Sequence, residues 1–319
     1  MAIAETENVL IRAGKCVVTV LPQFGGKIAS IRIGECELLQ TPLAPIVPRT
    51  PTMGFDEGDA SGWDECLPSV AACKVQLEDG TAEIADHGSL WRTRWAEVGD
   101  RAKKPDSISL AGNCLALSLM LERKLTLSET ARGWRLNLLY RLNNTGITPM
   151  PWSWAAHPLL AVEKGDRIVL PKSIRSLRLE GSGCGRLGKG GDTVAWPVAT
   201  LADGSTVDLS IAEASESGIG DKLFAGPLAA SENWCALERP SAGLRIRVSL
   251  DSMATPYLGL WICYGGWPER PGPKQVCVAM EPATAPVDSL AVTGPWSRVL
   301  APGEWFSWPM EVEIERIER

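Results

Sequence analysis

Trp134, Leu136, Leu138, Tyr140 and Leu142 place a large apolar side chain at every second position of one unbroken stretch. A period of two puts alternate side chains on opposite faces of an extended backbone, so the stretch reads as a strand with one buried face. The same signature recurs along the chain. Residues 16–21 lead through Pro22 and Gly25-Gly26 into an alternating run at 27–33, a hairpin signal. Residues 107–127 alternate around an expected turn at Ala111-Gly112-Asn113, and a turn at Ala131-Arg132-Gly133 precedes the stretch that begins at Trp134. Further strands are expected at 166–170, 208–212, 234–238 with 244–250, 257–263, 275–280 and 308–317. Helical amphipathic periods are hard to find, and 31 Gly and 23 Pro punctuate the strands. The pattern predicts an all-β chain, a large antiparallel β-sandwich using residues 1–319 as one domain.

Composition narrows the partners. The net charge is -6 with Lys and Arg scattered, which argues against nucleic acid or an anionic membrane surface and makes a neutral or weakly charged ligand the default. The first ten residues carry Glu5 and Glu7 and no apolar run, and no later stretch reaches the length of a membrane span, so a cytoplasmic location is expected. Nine cysteines, an odd number with no CxxC pair, read as buried free thiols rather than disulfides or a zinc site. Residues 183–189 match the first seven positions of a phosphate-binding loop, but Gly190 stands where the magnesium-binding hydroxyl belongs and no helix pattern follows. A flexible glycine-rich loop is the better reading.

Three stretches hold the chemistry. In 151–162, His157 follows Trp152 and Trp154 and directly precedes Pro158, which biases it to extended backbone at a strand end or rim. Taken alone, it reads better as a packed core histidine, but it has company elsewhere in the chain. In 62–68 and 85–95, Trp63, Asp86, His87, Gly88, Trp91, Arg92 and Arg94 combine stacking faces with hydroxyl-reading groups, a composition suited to a polyhydroxylated ligand. The competing reading is a surface loop with paired arginines. In 278–290, a strand is expected to deliver Glu281 at its end, with Pro282 stopping the pairing. Residues 41–60, with four prolines, read as a long loop over the surface or over a site. No GxSxG, HExxH or metal-ligand spacing occurs.

The order Gly-Gly, Gly-Trp-Asp-Glu-x-x-Pro at 62–68, Asp-His-Gly-x-x-Trp-Arg at 86–92, Trp-Ala-Ala-His-Pro at 154–158, the tract 260–268 and Glu-Pro-x-Thr-x-Pro-x-Asp-Ser-Leu at 281–290 resembles the aldose 1-epimerase (galactose mutarotase-like) family over nearly the whole chain. The resemblance implies a galactose mutarotase-like supersandwich that interconverts α and β anomers of a sugar by ring opening and reclosure. It implies Glu281 as general base, His157 as general acid in its imidazolium form, and His87, Arg92 and Asp221 as substrate-binding groups. Trp63, Trp91 and Trp261 are the candidate stacking surfaces. No metal and no cofactor is called for, and the protein is expected to be a monomer or homodimer whose partner is a small sugar. The short Asp86-His87-Gly88-Ser89 segment and Leu159 depart from typical galactose mutarotases and point away from galactose itself.

His87, Arg92, His157 and Glu281 are expected to converge on one face. The reactive atoms of His157 and Glu281 should lie far enough apart to bracket a sugar ring without pairing directly. Glu65, Asp86 and Asp221 are the alternative bases. Two other readings stay open: an epimerase for a phosphorylated, acidic or modified sugar, with Arg92 and Arg94 aimed into the cleft, and a carbohydrate-binding protein without turnover.

Overall fold

The computed structural model of the protein describes residues 8–78, 80–99 and 105–318. An 11-stranded sheet runs in the order Val9–Ala13, Cys16–Leu21, Lys27–Ile33, Trp63–Cys66, Ala155–Ala161, Val276–Ala283, Tyr257–Tyr264, Ile219–Ala225, Ser176–Ser182 and Thr193–Ala195, with Cys36–Glu37 added beside Lys27–Ile33. An 8-stranded sheet runs Arg167–Val169, Trp234–Arg239, Leu244–Ser249, Trp305–Arg316, Gly133–Asn144, Leu119–Glu129, Ser107–Asn113 and Ala96–Glu97. The ladders of both sheets are antiparallel. The two sheets bury a shared core in which Ile28, Trp63, Leu160, Leu260, Val278 and Met280 come from the first, and Leu121, Leu136, Leu138, Tyr140 and Trp308 from the second. The chain is an all-β sandwich. Among the described residues no helix is long and apolar enough to cross a membrane.

Three expected boundaries move. The strand Ser107–Asn113 continues through Ala111 and Gly112, which pair with Glu122 and Leu121, and the turn falls after it, where the Cys114 amide donates to the Leu119 carbonyl. Gly112 serves packing instead of a turn: a Cβ there would lie 2.4 Å from Nε1 of Trp95. The strand expected at 208–212 lies earlier, at Thr206–Asp208, because Asp208 Oδ1 accepts from the Ser210 amide and hydroxyl and bends the chain. Pairing does not stop at Pro282. The strand runs to Ala283, with Pro282 opposite Leu258, so Glu281 sits inside it. All nine cysteines are free, and all are buried except the half-buried Cys36 and Cys73 and the exposed Cys184.

Candidate active site

Register decides which side chains meet. On the neighbouring strands Ala155–Ala161 and Val276–Ala283, Ala155 pairs with Ala283 and Leu159 with Ala279, which places His157 directly opposite Glu281. No pair forms between those two rungs, where Pro158 and Pro282, both without an amide hydrogen, fall. His157 is therefore in mid-strand beside a lapse in the ladder, and not at a strand end. Gly259 pairs with Glu281, Trp261 with Ala279 and Lys222 with Trp261, so Lys222, Trp261, Glu281 and His157 share the sheet face turned away from the core.

That face floors a cavity of about 140 Å³ lined by Phe55, Val70, His87, His157, Lys222, Trp261, Trp267, Gln275 and Asp288. His157 Nε2 lies 3.6 Å from Glu281 Oε1. Glu281 is fully buried and lies beneath the lining residues. Its Oε2 accepts a hydrogen bond from Lys222 Nζ, whereas Oε1, like His157 Nδ1, is buried without a partner. Lys222 Nζ also lies 3.4 Å from Asp288 Oδ1, another buried oxygen without a hydrogen bond. Buried unpaired polar atoms are costly, and a cluster of them at a cavity is where a ligand hydroxyl would supply the missing partners.

Loops close the other side. His87 adopts φ 57, a left-handed conformation that a non-glycine residue holds at a cost. Its amide donates to the Val70 carbonyl, its Nδ1 lies 2.8 Å from Asp86 Oδ2, and its ring stacks on Phe55 at 3.7 Å and 6°. Gly88 must be glycine, since φ is 66 and a Cβ would fall 2.0 Å from the Leu67 carbonyl oxygen. Phe55 comes from the proline-rich loop 41–60, which therefore lies over the cavity. That loop is anchored by a buried ion cluster: Arg49 Nη2 meets Asp59 Oδ1 at 2.7 Å, and Lys27 Nζ meets Asp64 Oδ2 at 2.6 Å and Asp59 Oδ2 at 3.1 Å.

The electrostatics oppose an imidazolium at His157. Burial, with the Lys222 and Lys27 ammoniums nearby, pushes its pKa well below the ordinary histidine value. Burial raises the Glu281 carboxyl above the ordinary glutamate value against the pull of Lys222. Burial would depress the Lys222 ammonium, but Asp288 and Glu281 outweigh it and hold the proton more tightly than in a free lysine. Partial burial would raise Asp86, but His87 and Arg92 prevail and hold it below the carboxylate norm.

No family model and no curated protein matches the sequence. Solved structures do match over nearly the whole chain. A protein from Synechocystis is 16% identical, with 99% of each chain covered and a TM-score of 0.71. A galactose mutarotase-like protein from Clostridium acetobutylicum is 17% identical, with 99% of this chain and 98% of that chain covered and a TM-score of 0.66. A GalM/aldose epimerase homologue from C. elegans is 12% identical, with 98% and 99% covered and a TM-score of 0.65. The chain has the galactose mutarotase-like fold.

Within this mutarotase-like sandwich, His87, His157, Glu281 and Trp261 come together, and other expected site residues lie elsewhere. Trp63 is on the core face of its strand, 1% exposed, because the ladder turns Asp64 and not Trp63 to the cavity side. Trp91 is buried behind the site, edge-on to Phe55 at 5.3 Å, and does not line the cavity. The Arg92 guanidinium donates to the carbonyls of Met53 (2.8 Å) and Gly88 (3.3 Å) and lies over Trp91, while Arg94 is exposed. Arg92 therefore braces the loop instead of facing the cavity. Asp221 faces away from its strand neighbour Lys222 and is held by Ser182 at 2.6 Å and by Arg186 Nε at 2.9 Å. Glu65 faces the core and binds Arg123, Tyr140 and Trp154.

The expected separation of His157 from Glu281 is also overturned. The two are direct neighbours, because one rung of an antiparallel ladder cannot hold opposed side chains a sugar ring apart. Phe55, Lys222, Trp267, Gln275 and Asp288 were not singled out from the sequence. Strand alternation was the available signal for Lys222: two residues from Phe224 on its strand, it shares that face, and its Nζ lies 5.3 Å from the Phe224 ring.

Proposed function

We propose that the protein is an aldose 1-epimerase acting on an uncharged sugar. The observation that carries this reading is the opposed pair Glu281 and His157, with unpartnered oxygen and nitrogen, under a cavity walled by Phe55, Trp261 and Trp267. Aromatic faces pack against the C–H side of a pyranose, and His157, His87, Gln275 and Asp288 meet its hydroxyls.

Ring opening transfers the anomeric hydroxyl proton to a base, breaks the bond from the anomeric carbon to the ring oxygen, and delivers a proton to that oxygen. Rotation about the C1–C2 bond and reclosure on the other carbonyl face then inverts the anomeric centre. Glu281 Oε1, buried, unpartnered and of raised basicity, is the base in this scheme. The neutral His157 beside it orients the reacting hydroxyl by hydrogen bonding.

The charge balance favours a neutral substrate over a phosphorylated or acidic one. Two carboxylates, Glu281 and Asp288, face a single ammonium, Lys222, and the guanidinium of Arg92 is already engaged by backbone carbonyls. The deciding experiment is an NMR anomer-exchange assay with purified protein over hexoses, pentoses, uronates and sugar phosphates. Acceleration of a neutral aldose supports the reading. Sugar binding without acceleration of any member rejects it in favour of a binding protein.

A further inference from the structure

We propose, resting on the reading above, that Lys222 is the general acid of this site: its ammonium protonates the ring oxygen while Glu281 takes the proton of the anomeric hydroxyl. Lys222 lines the cavity, whereas Glu281 lies beneath it. An ammonium has three donors. One goes to Glu281 Oε2, and Asp288 Oδ1 lies 3.4 Å away without a hydrogen bond, so N–H groups remain on a side chain that borders the ligand space.

The protons close on themselves. The anomeric O–H electron pair becomes the carbonyl π bond as its proton moves to Glu281 Oε1. The electron pair of the broken bond from C1 to the ring oxygen stays on that oxygen, which takes a proton from Lys222 Nζ. The site then holds a neutral amine and a carboxyl protonated at Oε1, which are the base and the acid that reclosure needs. Reclosure runs the same steps backwards, with no external proton required. His157 is poorly suited to be this acid because burial and the nearby Lys222 and Lys27 ammoniums disfavour its imidazolium, whereas the Glu281 and Asp288 carboxylates beside Lys222 favour its ammonium. The leaving ring oxygen is an alkoxide, basic enough to take a proton from an ammonium.

Two measurements test the assignment. In the wild type, kcat/KM for anomer exchange should rise as Glu281 ionises and then stay level through about pH 9, since lysine holds its proton to about 10.4 even before the raising effect of its neighbours. A rate that falls as pH rises through neutral would assign the acid to a histidine and overturn the proposal. Lys222→Arg keeps the charge and the pairing with Glu281 and Asp288, but a guanidinium does not release a proton in this range. The expected result is a kcat roughly 10²-fold lower or worse with the acidic limb where it was. A purely electrostatic Lys222 would be rescued by arginine, so Lys222→Arg within about threefold of wild-type kcat overturns the proposal. If the arginine variant fails to fold, judged by near-UV circular dichroism, the wild-type profile decides alone. Wild-type protein that exchanges no sugar rejects the epimerase reading and this role together, whereas active wild type with a rescued arginine variant rejects only the role of Lys222.

Discussion

Arg123→Met tests the physics of the sandwich interior just behind the site. Arg123 and Glu65 are both fully buried between the sheets, with Nη1 2.7 Å from Oε1. The second Arg123 nitrogen donates to the Gly26 carbonyl, and Glu65 also accepts from the Tyr140 hydroxyl and the Trp154 indole, each at 3.0 Å. Removing the cation leaves a carboxyl in the core with neutral donors only, and breaking a buried pair in this way costs about 3–5 kcal/mol. At an unfolding entropy of about 2.1 cal/mol/K per residue over 319 residues, that corresponds to a fall in Tm of about 4–8 °C.

The loss should depend on pH with a definite sign. Burial raises the Glu65 carboxyl above its ordinary value even with Arg123, Tyr140 and Trp154 pulling down. A folded-state value above the unfolded one means that the folded protein binds more protons between the two, so stability falls as pH rises through that window. Without Arg123 the window extends upward, and the deficit should be smallest near pH 5 and grow towards pH 8. Adding Glu65→Gln removes the charge, keeps an acceptor oxygen for the Trp154 indole and offers an amide N–H to the Tyr140 hydroxyl oxygen, so the double variant should melt above Arg123→Met at pH 8. Thermal melts by circular dichroism across that range check all three points. A single variant within about 1 °C of wild type, or a double variant that melts lower still, would refute the reasoning.

Three further outcomes are expected. Glu281→Gln should lower anomer exchange by roughly 10²-fold or more with the sugar dissociation constant changed less than about threefold; full retained exchange would mean that another group is the base. Phe55→Ala removes the face on which His87 stacks and should weaken sugar binding roughly 2- to 12-fold, as loss of an aromatic pair worth about 0.5–1.5 kcal/mol implies, with kcat little changed in saturating titrations. Uronates and sugar phosphates should show kcat/KM at least about tenfold below neutral sugars because Glu281 and Asp288 outnumber Lys222; equal values would show that a further cation reaches the cavity.

Legibility from sequence followed locality. The alternation at 134–142, the hairpin joining 16–21 to 27–33 and the strands near 234–250 depend on near neighbours and lie close to where the period of two puts them. Gly112 and Pro282 resemble local punctuation in the sequence, whereas the role of each is set by a distant partner, Trp95 for the glycine and the opposing strands for the proline. Composition marks Trp63, Trp91 and Arg92 as ligand groups, but composition is blind to facing. Trp63 turns to the core, and Trp91 and Arg92 brace the loop.

The sequence by itself determined the strand period, the all-β class and the presence of His87, His157 and Glu281 in motifs far apart along the chain, because those follow from residue type and spacing. Only the tertiary structure decided that His157 stands directly opposite Glu281, that Lys222 and not Asp221 faces the cavity, and that Phe55 closes over it. Each of these depends on strand register or loop placement. A shift of one residue turns every side chain of a strand to the other face, and the burial of a whole sheet, summed over partners more than a hundred residues apart, is what selects one register over its neighbour.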